Sequence, residues 1–222
     1  MNVVIYTAVT GDYDIISPPK IKEENIRYVA FMDKESFRDI EGWESMPIDI
    51  INNNARLTAR YCKIFPYKLF TADCSIWIDG RTVINGKLSD LVNYVKDTCI
   101  AFYKHRTRNC VYKESKVIIK RKLDNKEIVL EQMDKYRKEK YPIHNGMVET
   151  GCIVRNHNHE KLPMVMESWW EEIEHHSCRD QLSINYAMWK HNISPSYLKD
   201  GNILRNSYTS LLGHKYTRNP YK

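Results

Sequence analysis

The chain has 222 residues, long enough for one domain with a real core, and its 34 Lys and Arg exceed its 28 Asp and Glu by only six. That mild, dispersed positive charge forms no basic motif, which argues against a nucleic-acid-binding protein and suits a small anionic ligand such as a nucleoside diphosphate. No apolar run approaches the roughly eighteen residues of a membrane span, so no span is expected.

Val3 to Val9 predicts a β-branched strand ending in the turn-rich Thr10-Gly11-Asp12-Tyr13-Asp14. A first strand with a small-residue loop is where α/β nucleotide sites begin. Neither G-x-G-x-x-G nor G-K-[ST] follows, so neither a dinucleotide fold nor a P-loop is supported. Arg27 to Met32 predicts a second strand, ending in the acid Asp33. Asn52-Asn53-Asn54 supplies N-caps for a helix from Ala55 to Phe65, stopped by Pro66. On it Arg56, Arg60 and Lys63 recur at i, i+4 and i+7, along one stripe. Such a stripe is either a solvated basic face or a set of cations aimed at an anion.

Ser75 to Arg81 reads Ser-Ile-Trp-Ile-Asp-Gly-Arg, an apolar run cut short by an acid and a glycine. A strand buried on both faces has this look, and it would deliver Asp79 to the carboxyl edge of a parallel sheet, where open α/β folds bind ligands. Asp-Gly also ends many strands merely by making turns. Downstream, Leu88 to Lys96 predicts a helix, Cys99 to Tyr103 a strand, and Tyr112 to Lys140 a charged, mostly helical stretch ended by Pro142. Thr150 to Val154 predicts a strand with Glu149 just before it. Leu162 to Glu174 and Gln181 to His191 predict helices, with Ser177 or Asp180 as N-cap of the second. Alternating strands and helices define an α/β protein with a mixed, mostly parallel sheet flanked by helices. The expectation is a single domain over 1–222, with its two halves meeting near residue 105.

His157, His159, His175 and His176 lack zinc-site spacing and read as surface residues. Trp169-Trp170 reads as core plus a half-exposed rim. The six cysteines form no C-x-x-C pair and read as reduced thiols. With no basic n-region or long apolar h-region at the start, a cytoplasmic protein is expected.

Five stretches carry a resemblance: Tyr-Thr-Ala-Val-Thr-Gly-Asp-Tyr-Asp from Tyr6, Trp-Ile-Asp-Gly from Trp77, His-x-x-Arg-x-Cys-x-Tyr-x-Glu from His105, Trp-Trp-x-Glu from Trp169, and Ser-x-Arg-Asp-Gln-Leu-Ser from Ser177. In this order they resemble a group of small GT-A-fold glycosyltransferases that includes plant pectin- and mucilage-related glycosyltransferase-like domains and bacterial capsule relatives. The resemblance runs from Asn2 to His191. It implies a GT-A-like, Rossmann-like fold. It also implies transfer of a sugar, favouring retention, from a nucleoside-diphosphate sugar, uridine-based, to a glycan or glycoprotein acceptor, assisted by Mn²⁺ or Mg²⁺.

The same resemblance implies site residues. Thr7, Ala8, Val9 and Tyr13 would hold the base, and Asp33 would lie at the base or ribose. Arg60 would touch the diphosphate and donor sugar, joined by Arg56 and Lys63 if the stripe faces the anion. Trp77-Ile78-Asp79 stands where the family has D-x-D; Trp77 replaces the first acid, so Asp79 alone remains as metal ligand. Glu149 would lie beside the donor sugar, and Asp180 with Gln181 under the anomeric carbon. His214 would complete the metal site, with Lys215 on the diphosphate. Two rivals remain open. A nucleotidyltransferase would show a glycine-rich phosphate loop, of which Thr10-Gly11-Asp12 is a poor example. A non-catalytic glycan- or partner-binding domain could keep the same fold.

Overall fold

The computed structural model describes residues 1–213, so His214 and Lys215 lie outside the described residues. The first half of the chain forms β1 (Val3–Val9), β2 (Arg27–Met32), β3 (Glu44–Pro47), α1 (Ala55–Ile64), α2 (Pro66–Leu69), β4 (Cys74–Ile78), β5 (Thr82–Ile84) and β6 (Ile100–Lys104). The second half forms α3 (Val111–Lys120), α4 (Lys126–Lys138), β7 (Val148–Asn156), α5 (Leu162–His175), α6 (Ile184–Lys190), β8 (Ser196–Tyr197) and β9 (Thr209–Leu211).

Seven of these strands make one sheet in the order β3-β2-β1-β4-β7-β6-β8. The first four are parallel, β7 runs against both β4 and β6, and β8 is parallel to β6. The sheet is therefore mixed and mostly parallel, with β7 its one reversed strand among the described residues. Every residue of β1 and β4 is buried, as expected of strands covered on both faces. One face packs Tyr6, Phe31, Trp77 and Ile153 against α1, α5 and α6. The other packs Ile5, Met32, Ile76 and Ile78 on Leu88, Leu91 and Val95 of the segment Leu88–Val95, which is a 3-10 helix rather than an α-helix. A smaller cluster around Tyr112, Met133, Tyr136 and Tyr186 joins α3, α4 and α6. Strands β5 and β9 pair separately as a ribbon.

Two helix expectations needed correction. The stretch after Tyr112 is two helices, because Lys122 takes a left-handed φ of 52° and Asn125 caps a new helix by accepting from Ile128 N at 3.1 Å. Gln181 to His191 is likewise divided: Asp180–Leu182 is a 3-10 turn, α6 starts at Ile184, and neither Ser177 nor Asp180 caps it. Trp169 is fully buried, while Trp170 is half-exposed and packs on Tyr61 and Phe65, so this pair is core plus rim. All six cysteines are free and five are buried. Among the described residues no helix is long and apolar enough to cross a membrane.

His157 is half-buried, not a surface residue, and its Nε2 lies 2.8 Å from Ser75 Oγ. Burial, then the nearby Arg155, pushes its pKa down from 6.5 to about 4. The unfolded chain then binds a proton that the folded one refuses, so stability falls as pH drops from 6.5 to about 4. The expected loss in that window is about 2–3 kcal/mol. His157→Gln should flatten this part of the stability profile in urea titrations. An unchanged slope would detach it from His157.

Candidate active site

A cleft of about 480 Å³ opens at the carboxyl ends of β1 and β4. The antiparallel β7 brings its first residues, Glu149 to Gly151, to the same edge. The floor is Asp79 and Gly80. Gly80 is dictated by packing, since a Cβ there would sit 2.2 Å from Val9 Cγ2. The walls are the loop after β1, the exposed side of α1, the 3-10 turn at Asp180–Leu182 and one face of α3.

Helix α1 begins where Asn54 accepts from Leu57 N at 3.0 Å. Its three cations share a stripe but sit at graded depths. Lys63, in the last turn, is 1% exposed. Its carbonyl accepts from Arg155 Nη2 at 2.6 Å and from the Tyr6 hydroxyl at 3.1 Å, which fixes the end of the helix on the sheet. Its ammonium donates to Asp180 Oδ2 at 2.6 Å and to Asp79 Oδ1 at 3.1 Å, and lies 5.4 Å from the centre of the Trp77 ring. Lys63 is thus an internal bridge between two carboxylates rather than a surface cation waiting for phosphate. Arg60 lies 3.5 Å from Asp180 Oδ2, and Arg56 lines the cleft one turn further out.

Asp79 is the meeting point of several contacts. Trp77 and Asp79 are two apart on an extended chain and project on one side. The Trp77 indole N–H donates to Asp79 Oδ1 at 2.9 Å, so Trp77 orients the Asp79 carboxylate. The other oxygen, Oδ2, faces Gly151, where even a Cβ would come within 3.3 Å of it. The Asp79 side chain keeps 40% of its exposure.

Asp180 is buried, its carbonyl held by Trp169 Nε1 at 3.1 Å. Burial alone would raise its carboxyl pKa, but Arg60, Lys63 and Arg179 outweigh burial and hold the group ionised, well below the usual carboxylate range. Gln181 lines the cleft and donates from Nε2 to Val148 O at 3.2 Å. Glu149 is also buried. Its Oε1 accepts from Arg106 Nε at 2.9 Å, while its Oε2 is buried with no hydrogen-bond partner. A carboxylate oxygen left this way is costly unless a ligand donor meets it.

Of the expected site residues, Ala8, Val9, Tyr13, Arg56, Arg60, Lys63, Asp79, Glu149, Asp180 and Gln181 line one cleft. Thr7 and Asp33 do not. Thr7 is buried in the sheet. Asp33 accepts from Gly11 N at 2.5 Å and from Ser36 N and Oγ, both at 3.0 Å, so it organises the loop after β1 from behind. Gly11 N is thereby committed within the chain, which counts against a phosphate loop there.

The cleft also contains cations given no role from the sequence. Arg81, Arg106, Arg108, Arg121 and Arg179 join Arg56 and Arg60, making seven arginines against the five acids Asp14, Asp79, Glu114, Glu149 and Asp180. Arg108 pairs with Glu114. Helix α3 and its C-cap residue show Glu114, Val117 and Arg121 to the cleft at i, i+3 and i+7, a stripe at helical spacing visible in the sequence.

Whether the residues suit a divalent ion depends on oxygen donors. Asp79 Oδ2, beside a recess that a Cβ would fill at Gly151, is one such donor. Among the described residues no group of three His, Cys, Asp or Glu could hold a metal, so the remaining ligands would come from a bound diphosphate and water.

A mostly parallel sheet whose carboxyl edge carries a strand-end acid, buried carboxylates and a surplus of arginine defines a GT-A-type glycosyltransferase fold. The chain belongs to the TOD1/MUCI70 glycosyltransferase-like domain family, whose profile matches residues 1–206. No curated protein matches it in sequence. Among solved structures it is similar to apo WbbM, a bifunctional glycosyltransferase, at 15% identity and TM-score 0.53, over 89% of this chain and 38% of that one. It is also similar to apo mouse xyloside xylosyltransferase 1, at 7% identity and TM-score 0.52, over 89% of this chain and 84% of that one. The glycosyltransferase GlyE of Streptococcus pneumoniae TIGR4 matches at 13% identity and TM-score 0.47, over 90% of this chain and 45% of that one. The chain spans less than half the length of the GlyE and WbbM chains.

Proposed function

We propose that this domain is a metal-assisted glycosyltransferase, moving a sugar from a uridine-based nucleoside-diphosphate sugar to a glycan or glycoprotein acceptor. The observation that carries the reading is the pair Asp79 and Asp180, bridged by buried Lys63 in a cleft lined by seven arginines. The base lies against Ala8, Val9 and Tyr13. Arg56 and Arg60 take the diphosphate. Asp79 Oδ2 holds Mn²⁺ or Mg²⁺, which when bound neutralises the departing diphosphate as a Lewis acid. Glu149 Oε2 accepts a hydroxyl of the donor sugar or of the acceptor.

Asp180 and Gln181 lie at the anomeric carbon. A carboxylate held this far below its ordinary pKa is a poor proton acceptor and a good fixed negative charge. It suits stabilisation of an oxocarbenium-like centre more than deprotonation of the acceptor, which favours retention. Five buried, unpaired thiols suit a reducing compartment, so a cytoplasmic location remains part of the proposal.

Calorimetric titration of uridine diphosphate with and without Mn²⁺ tests the reading. Wild type should bind more tightly with Mn²⁺, and Asp79→Ala should lose that increment while keeping its fold, since Lys63 retains Asp180. Gly151→Ala, which crowds Asp79 Oδ2, should weaken Mn²⁺-dependent binding about tenfold, as expected for a residue that shapes a metal site. Equal Mn²⁺ dependence in wild type and Asp79→Ala would remove Asp79 from the metal.

A further inference from the structure

A second cavity of about 470 Å³ lies away from the arginine-lined cleft, between α6 and β8. Its size is within the roughly 300–1,000 Å³ of small-molecule sites. Its lining is different in kind. It includes the amides of Asn145, Asn185 and Asn192, the hydroxyl of Ser194 and the rings of Trp189 and Tyr197, with no charged side chain. Planar amides pair with vicinal hydroxyls, and aromatic faces pack on the C–H face of a pyranose. An uncharged lining of this type favours a neutral polyhydroxylated ligand over a phosphate, although the Lys104 ammonium lies beside it, over the Tyr197 ring.

The rings are held in place. Trp189 packs edge-on to Tyr141 with centroids 5.3 Å apart, and the Lys104 ammonium sits over one face of Tyr197 at 5.9 Å. Asn185 is fixed because its Oδ1 accepts from Val148 N at 3.1 Å. Val148 links the two cavities: its carbonyl accepts from Gln181, which lines the first, and the next residue is Glu149. Asn145 in the second cavity and Glu149 in the first are four residues apart, at most ~14 Å of extended chain. An elongated ligand entering the cleft past Glu149 has this cavity within reach.

We infer that the second cavity is a carbohydrate subsite that binds neutral sugars of the acceptor glycan, remote from the residue that receives the transferred sugar. The inference rests on the glycosyltransferase reading of the first cleft. The subsite sets acceptor choice and chain length, and adds affinity without taking part in the chemistry.

The test uses two substitutions outside the first cleft. Tyr197→Ala truncates an exposed ring. Asn192→Gly removes an amide at a position with φ of 53°, which glycine adopts freely. Wild type and both variants are applied to an array of neutral and acidic oligosaccharides. The tightest neutral hexasaccharide is then titrated, with uridine diphosphate and Mn²⁺ titrated in parallel. Wild type should retain neutral oligosaccharides, and each variant should bind the hexasaccharide about tenfold more weakly at unchanged uridine diphosphate affinity. Absence of any neutral ligand, a preference for acidic ones, or equal hexasaccharide affinity in all three proteins would overturn the subsite. Loss of neutral-glycan binding in the variants, with no uridine diphosphate binding by wild type, would instead overturn the glycosyltransferase reading and leave the carbohydrate site standing.

Discussion

Lys63→Met should lower the stability of the domain at neutral pH by about 3 kcal/mol, the lower range for breaking a buried ion pair from one side. The replaced side chain is 1% exposed and joins two carboxylates. Methionine fills much the same volume but carries no charge, so the packing loss is small and the electrostatic loss dominates. The loss is concentrated at Asp180, which is buried, because Asp79 keeps 40% of its side-chain exposure and can recruit water. Arg60 and Arg179 still face Asp180, which holds the cost at the lower end. Urea denaturation should show a lower midpoint at unchanged slope. The double variant Lys63→Met with Asp180→Asn should be more stable than the sum of the two single losses, by at least about 1 kcal/mol. Strict additivity would mean that Lys63 and Asp180 do not depend on each other.

On the proposed glycosyltransferase reading, Asp180→Asn should reduce glycosyl transfer by at least about a hundredfold, the lower range for removing one positioned charge or acid–base group at a reacting centre. Uridine diphosphate affinity with Mn²⁺ should change little, because Arg56 and Asp79 keep their places. The backbone bond from Trp169 to the Asp180 carbonyl is untouched by the substitution. Stability should also fall modestly, because Lys63 and Arg60 lose a carboxylate. The folded-state pKa of Asp180 lies below its unfolded value of about 4. Its stabilising contribution is therefore complete above that unfolded value and is lost as the pH falls toward the folded one. Asp180→Asn should flatten the acid limb of the stability curve below about pH 4, and that change would be visible even without an assay for transfer. Near-normal transfer by the variant would end the case for Asp180 at the reacting carbon and make Glu149 the next candidate.

Much of the fold was legible in local sequence. Val3–Val9 and Cys74–Ile78 are apolar runs too short for helices, and a strand buried on both faces has no other pattern. The start of α1 was set by the Asn54 cap and its end by Pro66, both local signals. The place of Asp79 at a sheet edge followed from where its strand had to stop. What local pattern could not carry was direction and depth. Thr150 to Val154 reads the same whichever way the strand runs, yet the reversal of β7 is what brings Glu149 and Gly151 over Asp79.

The spacing of Arg56, Arg60 and Lys63 named a common face but not how far each sinks. Only the docking of α1 on the sheet buries Lys63 and turns a supposed phosphate ligand into an internal bridge. Asp180 read locally as a helix cap, because its true partner is 117 residues away. The loop arginines of the cleft were scattered along the chain and became one cationic wall only when β6, α3 and the turn at Asp180 converged. Secondary structure here followed from short-range sterics, capping and hydrophobic pattern, which sequence displays directly. The site depends on charges drawn together from distant segments, and their meeting is decided by strand order and helix packing.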